Sequence, residues 1–131
     1  MPTISRDGTN RDDSSDRDDG RGQLSAAISN AVVHLLAEDV GRGPTRARTT
    51  IDDDLVVVVL HETMTKGEKT LVAAGREADV LQIRRSFQET MRRELVAAVE
   101  RLTNRNVVAF MSANHTDPDA AAEIFLLDGE V

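Results

Sequence analysis

The stretch Leu55-Val56-Val57-Val58-Val59-Leu60 decides the fold. Six consecutive apolar residues, four of them β-branched, favour a pleated strand over a helix. Asp52-Asp53-Asp54 just before it has turn composition, and the weak alternation of Ala47 to Ile51 supplies a partner strand, so residues 47–60 read as a hairpin. Downstream, Thr65-Lys66-Gly67-Glu68 reads as a helix start with Thr65 as cap. A short helix to about Ala74 follows, and Gly75 bends or interrupts it.

The long helix then spans about Arg76 to Leu102 and ends at Asn104. Its apolar stripe is Val80, Ile83, Phe87, Met91, Leu95, Val99 and Leu102, spaced by three and four. Placed in a core, Phe87 and Met91 would each cost about 2–5 kcal/mol on truncation to Ala. A strand over Val107 to Ala113, a turn-rich connection Asn114 to Asp119 and a last strand over about Glu123 to Leu127 complete the chain. Upstream, Leu24, Ile28, Val32, Leu35 and Leu36 mark a first helix, with Ser25 as its cap and Gly41 as its stop. The sum is an α+β fold in two layers, in the order αββαββ, with a four-stranded, mainly antiparallel sheet in one domain over residues 23–131. Residues 1–22 carry no apolar side chain after Ile4 and are expected to be a disordered charged tail. Asp16, Asp18, Asp19 and Gly20 in that tail lack the alternation and the closing Glu of a calcium loop.

Composition narrows the partners. The chain of 131 residues has a formal charge of −7, which argues against a nucleic-acid footprint. Three Phe and no Tyr or Trp leave few stacking platforms, and the absence of Cys excludes thiolate chemistry and disulfides. No apolar run approaches the roughly 20 residues of a membrane span, and no secretory signal is visible. Direct membrane insertion is therefore not expected, and a cytoplasmic location is.

Three constellations bear on chemistry. Arg42, Arg46 and Arg48, with Gly41, Gly43 and Pro44, form a candidate anion site, since glycines free backbone N–H groups and Arg forks suit phosphate or carboxylate. The competing reading is a polar loop whose arginines pair with Asp52–Asp54 or with solvent. His115, Asp117 and Asp119, beside Asn114, form a weaker turn or metal candidate, because Asn-His-Thr-Asp-Pro-Asp is itself a good turn. The polar face of the long helix carries Arg84, Arg85, Arg92, Arg93 and Arg101, interleaved with Glu77, Asp79, Glu89, Glu94 and Glu100. Pairs such as Glu89–Arg93 and Arg85–Glu89 make it a solvated, salt-bridged face and not a membrane-binding one. No nucleophile–base pair is evident, so no catalytic residue, cofactor or metal is assigned.

The strings Gly43-Pro44-Thr45-Arg46-Ala47-Arg48-Thr49-Thr50-Ile51, Asp54 to Leu60, Thr65-Lys66-Gly67-Glu68 and Phe110-Met111-Ser112-Ala113-Asn114-His115-Thr116-Asp117-Pro118-Asp119 together resemble the MpsC family, also called YbcI-like. The resemblance covers residues 23–128. It implies a small soluble, non-enzymatic accessory protein beside a sodium-translocating, membrane-potential-generating system linked to cation and inorganic-carbon uptake. It also implies a place peripheral to the inner face of the membrane as a transport-complex subunit. It carries over no catalytic residue. The alternative reading is a small-molecule anion-binding sensor or enzyme that uses the Arg42–Arg48 loop.

One expectation concerns assembly. Leu55 to Leu60, Val107 to Met111 and Ile124 to Leu127 do not alternate, so all three strands are expected to be buried on both faces. Two helices cover one face of such a sheet, and a second copy of the chain would cover the other, making a homodimer. Helices straddling the sheet would satisfy the same pattern in a monomer, and a binding face reserved for another protein is a third reading.

Overall fold

The computed structural model describes the backbone of residues 2–131 and the side chains from residue 19 onward. The elements are α1 (Pro2–Val40), β1 (Arg46–Asp52), β2 (Leu55–His61), α2 (Lys66–Ala73), α3 (Glu77–Thr103), β3 (Val107–His115) and β4 (Ala120–Leu127). The expectation of a disordered tail over residues 1–22 falls mostly on side chains outside the described residues. Ser25 lies within α1 and does not cap it.

Local chemistry sets most boundaries. Gly41 closes α1 with φ +86°, a left-handed conformation that a Cβ would strain, and its N–H reaches Ala37 O at 3.1 Å. At the start of α2, Thr65 Oγ1 accepts from Glu68 N at 3.2 Å while Glu68 Oε1 accepts from Thr65 N at 2.9 Å, a reciprocal capping box. Gly75, with φ +79°, ends α2 in a Schellman turn. Arg76 N donates to Leu71 O at 2.8 Å and Gly75 N to Val72 O at 3.0 Å, so the interruption expected there is a full stop between two helices. Asn104, also left-handed at φ 57°, ends α3.

The strands form one antiparallel sheet of order β1-β2-β4-β3. β4 begins at Ala120, earlier than expected, because the weakly β-forming Ala120, Ala121 and Ala122 are drawn into pairing between His61, Leu60 and Val59 on one side and His115, Asn114 and Ala113 on the other. Tertiary context overrides propensity there.

Burial corrects the strand reading. Along β2, Val56, Val58 and Leu60 are buried while Leu55, Val57 and Val59 are only half-buried; β4 alternates likewise. The strands are thus not buried on both faces within the chain. One face packs Val56, Val58, Leu60, Phe110, Phe125 and Leu127 against Ile28 and Val32 of α1 and Met91, Leu95 and Val99 of α3. Both long helices lie on that same face, which removes the straddled arrangement. Ser29 of α1 and Thr49 of β1 share a hydrogen bond at 2.7 Å on that side, so Arg46, Arg48 and Thr50 point to the other. The second face carries Leu55, Val57, Val59, Ala122, Ile124, Leu126 and Met111, the last 51% exposed. No described residue outside the sheet is part of a cluster on it.

The apolar stripe of α3 is also displaced. Val80, Met91, Leu95 and Val99 are buried, but Ile83 and Phe87 are 39% and 37% exposed. The inward positions one residue on are held by Arg84 and Gln88, which meet polar partners inside the fold. A helix turns about 100° per residue, so giving 84 and 88 the interior moves 83 and 87 to the rim. Arg92 also leaves the salt-bridged face and lies over the Phe110 ring, 5.4 Å from its centroid. The ion pairs among the described residues are His34–Glu38, Arg76–Asp79 and Arg84–Glu68, and neither Glu89–Arg93 nor Arg85–Glu89 is formed.

Candidate functional site

Strand alternation puts Glu123 in the core. It lies on the helix-facing side of β4, in line with Ala121, Phe125 and Leu127, and pairs across the sheet with Val58 and Ser112. Only 2% of it is exposed. A charge buried in apolar surroundings is costly unless it is hydrogen-bonded or neutralised. Ser112 Oγ donates to Glu123 Oε2 in a very short contact, and Gln88 Nε2 donates to Oε1 at 3.3 Å. Gln88 is itself fixed by Asn114, through paired amide bonds of 2.9 and 3.0 Å that tie α3 to β3. Burial pushes the Glu123 carboxyl up to about 7, against the opposing pull of the Ser112 and Gln88 hydrogen bonds and of the Arg84 charge.

Glu123 faces a cavity of about 30 Å³, above the ~10–15 Å³ that one water needs. Leu60, Met91, Leu95 and Ala121 form its apolar wall, and Leu36, Val40, Arg42 and Phe87 stand around its rim. Its polar wall includes Thr63, Glu68 and Arg84. Arg84 Nε lies 3.4 Å from Glu68 Oε2, with side chains only 12% and 9% exposed. Glu68 therefore holds two places at once, as the third residue of the α2 capping box and as the partner of Arg84. One long helix, one short helix and the middle of the sheet thus converge on two buried acids, Glu68 and Glu123, that line one cavity with the Arg84 guanidinium.

The residues singled out from sequence are distributed differently. Arg42 lies at the cavity rim, its Nε 3.5 Å from Glu62 O. Arg46 and Arg48 stand two apart on the open face of β1, so the structure brings these two together and leaves Arg42 on the helix side. Asp119 is a loop anchor: Oδ1 accepts from Thr63 N and Oγ1, both at 3.2 Å, and Oδ2 from Met64 N at 2.9 Å. His115 Nδ1 contacts Pro118 O at 2.8 Å inside the β3–β4 turn, and Asp117 lies in the same turn. Among the described residues no three His, Cys, Asp or Glu side chains gather closely enough to hold a metal ion. Glu123 was missed, although a signal existed: a Glu two residues before Phe125 and four before Leu127 shares their face in any strand.

The architecture defines a class: a two-layer α+β domain whose helices cover one sheet face and enclose a buried carboxyl. The chain belongs to the MpsC family, described as "Na+-translocating membrane potential-generating system (MpsC)", which matches residues 20–129. No curated protein and no solved structure matches it.

Proposed function

We propose that this protein is a non-enzymatic, cytoplasmic accessory component of a sodium-translocating, membrane-potential-generating system, held at the inner face of the membrane by its protein partners and assembled as a homodimer. The observation that carries the reading is the family match, which takes in all four strands, α2 and α3. No described helix is long and apolar enough to cross a membrane, which is compatible with this reading. The dimer rests on the open face of the sheet. Leu55, Val57, Ile124, Leu126 and Met111 lie side by side there, with Met111 51% exposed, and contiguous exposed apolar surface of this kind marks interaction sites.

Deleting the gene should lower the membrane potential and growth when sodium is the main coupling ion, and an unchanged phenotype in both overturns the transport reading. Light scattering should give twice 14.3 kDa; a mass of 14.3 kDa across a hundredfold dilution series overturns the dimer. The rival reading, an anion-binding sensor or enzyme, now rests on Arg46 and Arg48 alone. A thermal shift with phosphate or carboxylate ligands, lost in Arg46→Ala and Arg48→Ala, would favour it.

A further inference from the structure

We propose that Glu123 is a proton-binding residue of this fold, and that Arg84 transmits its ionisation to the start of α2. The inference is independent of the transport reading above.

The geometry begins with charge. The charged groups lining the cavity are Arg42, Glu68, Arg84 and Glu123. Arg42 sits at the rim with its Nε on a backbone carbonyl. That leaves one interior guanidinium, on α3, between a carboxylate on α2 and a carboxyl on β4. β2 presents Val58 to Glu123, β3 presents the neutral Ser112 and Asn114, and α1 presents only apolar side chains to the cavity. Arg84 cannot fully neutralise two carboxylates, so the occupancy of Glu123 by a proton decides how Arg84 is shared.

Hydrogen-bonding capacity points the same way. An ionised carboxylate accepts at about four lone-pair positions. Here the protein supplies two donors, Ser112 Oγ and Gln88 Nε2, and the remaining positions face the cavity. A proton on Oε2 is accommodated without moving either side chain: the carboxyl O–H donates to Ser112 Oγ, and the serine hydroxyl turns its own hydrogen away. The cavity gives the proton a route that the packed sheet does not. The upward displacement of the Glu123 carboxyl places this exchange near neutrality.

The readout lies at Glu68. Its Oε2 faces Arg84 and its Oε1 receives the Thr65 N–H. When Glu123 loses its proton, Arg84 is drawn toward β4, the Arg84–Glu68 contact loosens, and the capping box feels the change. A buried acid on the sheet is thereby coupled to the entrance of a helix on another element.

The test is NMR of the full chain with carbon-13 in the Glu carboxyls and nitrogen-15 in the amides. The Glu123 carboxyl should titrate about two pH units above the ordinary carboxylate range, with the Thr65 amide shift following at the same midpoint. In Glu123→Gln the Thr65 step should vanish, and in Arg84→Met the Glu123 midpoint should rise. A Glu123 midpoint in the ordinary range overturns the proposal. So does a Thr65 step that persists in Glu123→Gln, or a midpoint that falls when sodium replaces choline as the buffer cation, which would make a metal ion the ligand. If either variant fails to fold, the two midpoints in the unaltered protein still decide: coincidence near neutrality supports the coupling, and separation overturns it.

Discussion

Gln88 of α3 reaches Glu123 of β4 with one amide hydrogen, at 3.3 Å, and Asn114 of β3 with the other, at 2.9 Å. That one side chain joins the helix layer to two adjacent strands through polar contacts. Most other contacts between the layers are apolar and tolerate sliding, whereas amide geometry sets a register. The buried acid is thus positioned by the same group that locks α3 onto the sheet.

Glu123 makes stability pH-dependent in a definite sense. Its folded carboxyl titrates at about 7, above the ordinary 4.5. A raised acid binds its proton more tightly when folded. Its contribution is therefore fully present below pH 4.5 and is lost as pH rises through 7. At about 1.4 kcal/mol per unit, the loss is on the order of 3 kcal/mol. Urea unfolding at pH 5 and pH 8 should show that fall in the natural sequence, and Glu123→Gln should abolish most of it.

Arg84 and Glu68 should behave as a coupled buried pair. Arg84→Met leaves Glu68 without its partner and is expected to cost about 3 kcal/mol. Adding Glu68→Gln should restore part of that loss. A double-mutant cycle by chemical denaturation measures the coupling, and strict additivity would show that the pair contributes nothing beyond its separate members.

Met91 and Phe87, neighbours on one helical stripe, should separate sharply. Met91 is 2% exposed, so Met91→Ala should cost about 2–5 kcal/mol. Phe87 is 37% exposed, so Phe87→Ala should cost about 1 kcal/mol or less. Thermal melts of the two variants check the ordering.

Glu94 on α3 faces Asp39 and Glu38 at the end of α1. The Asp39 charge holds its carboxyl above the usual range, with smaller contributions from burial, an Asp39 hydrogen bond and Glu38. Glu94→Lys should raise the melting temperature by replacing repulsion with attraction, and the gain should shrink in high salt.

What was legible in the sequence was what local chemistry decides. Thr65 announces a helix cap, Gly41 and Asn104 announce helix ends, and the valine run announces β2, because each acts on its own backbone. What stayed hidden depends on partners distant in the chain. Arg84 and Gln88 look like surface residues until Glu68, Asn114 and Glu123 come round to meet them, and counting them as outward placed Ile83 and Phe87 in the core. Consecutive apolar residues in β2 suggested two buried faces, but a strand's sequence does not say on which side the helices will lie. Of the candidate site, the loop arginines were visible as charges, whereas Glu123 stood at the first position of the expected last strand, where a carboxylate normally faces solvent, and nothing local marked it as buried.

The sheet order has a consequence for how the chain is made. β2 and β3 never touch each other; β4 lies between them and pairs with both. The β1–β2 hairpin must therefore wait, with its inner edge unpaired, until α2, α3 and β3 have followed and β4 arrives. Isolated hairpins are marginal in water, and pairings this distant along the chain are slow to close. Until then the four valines of β2 are an open edge, a template on which another unfinished chain could pair.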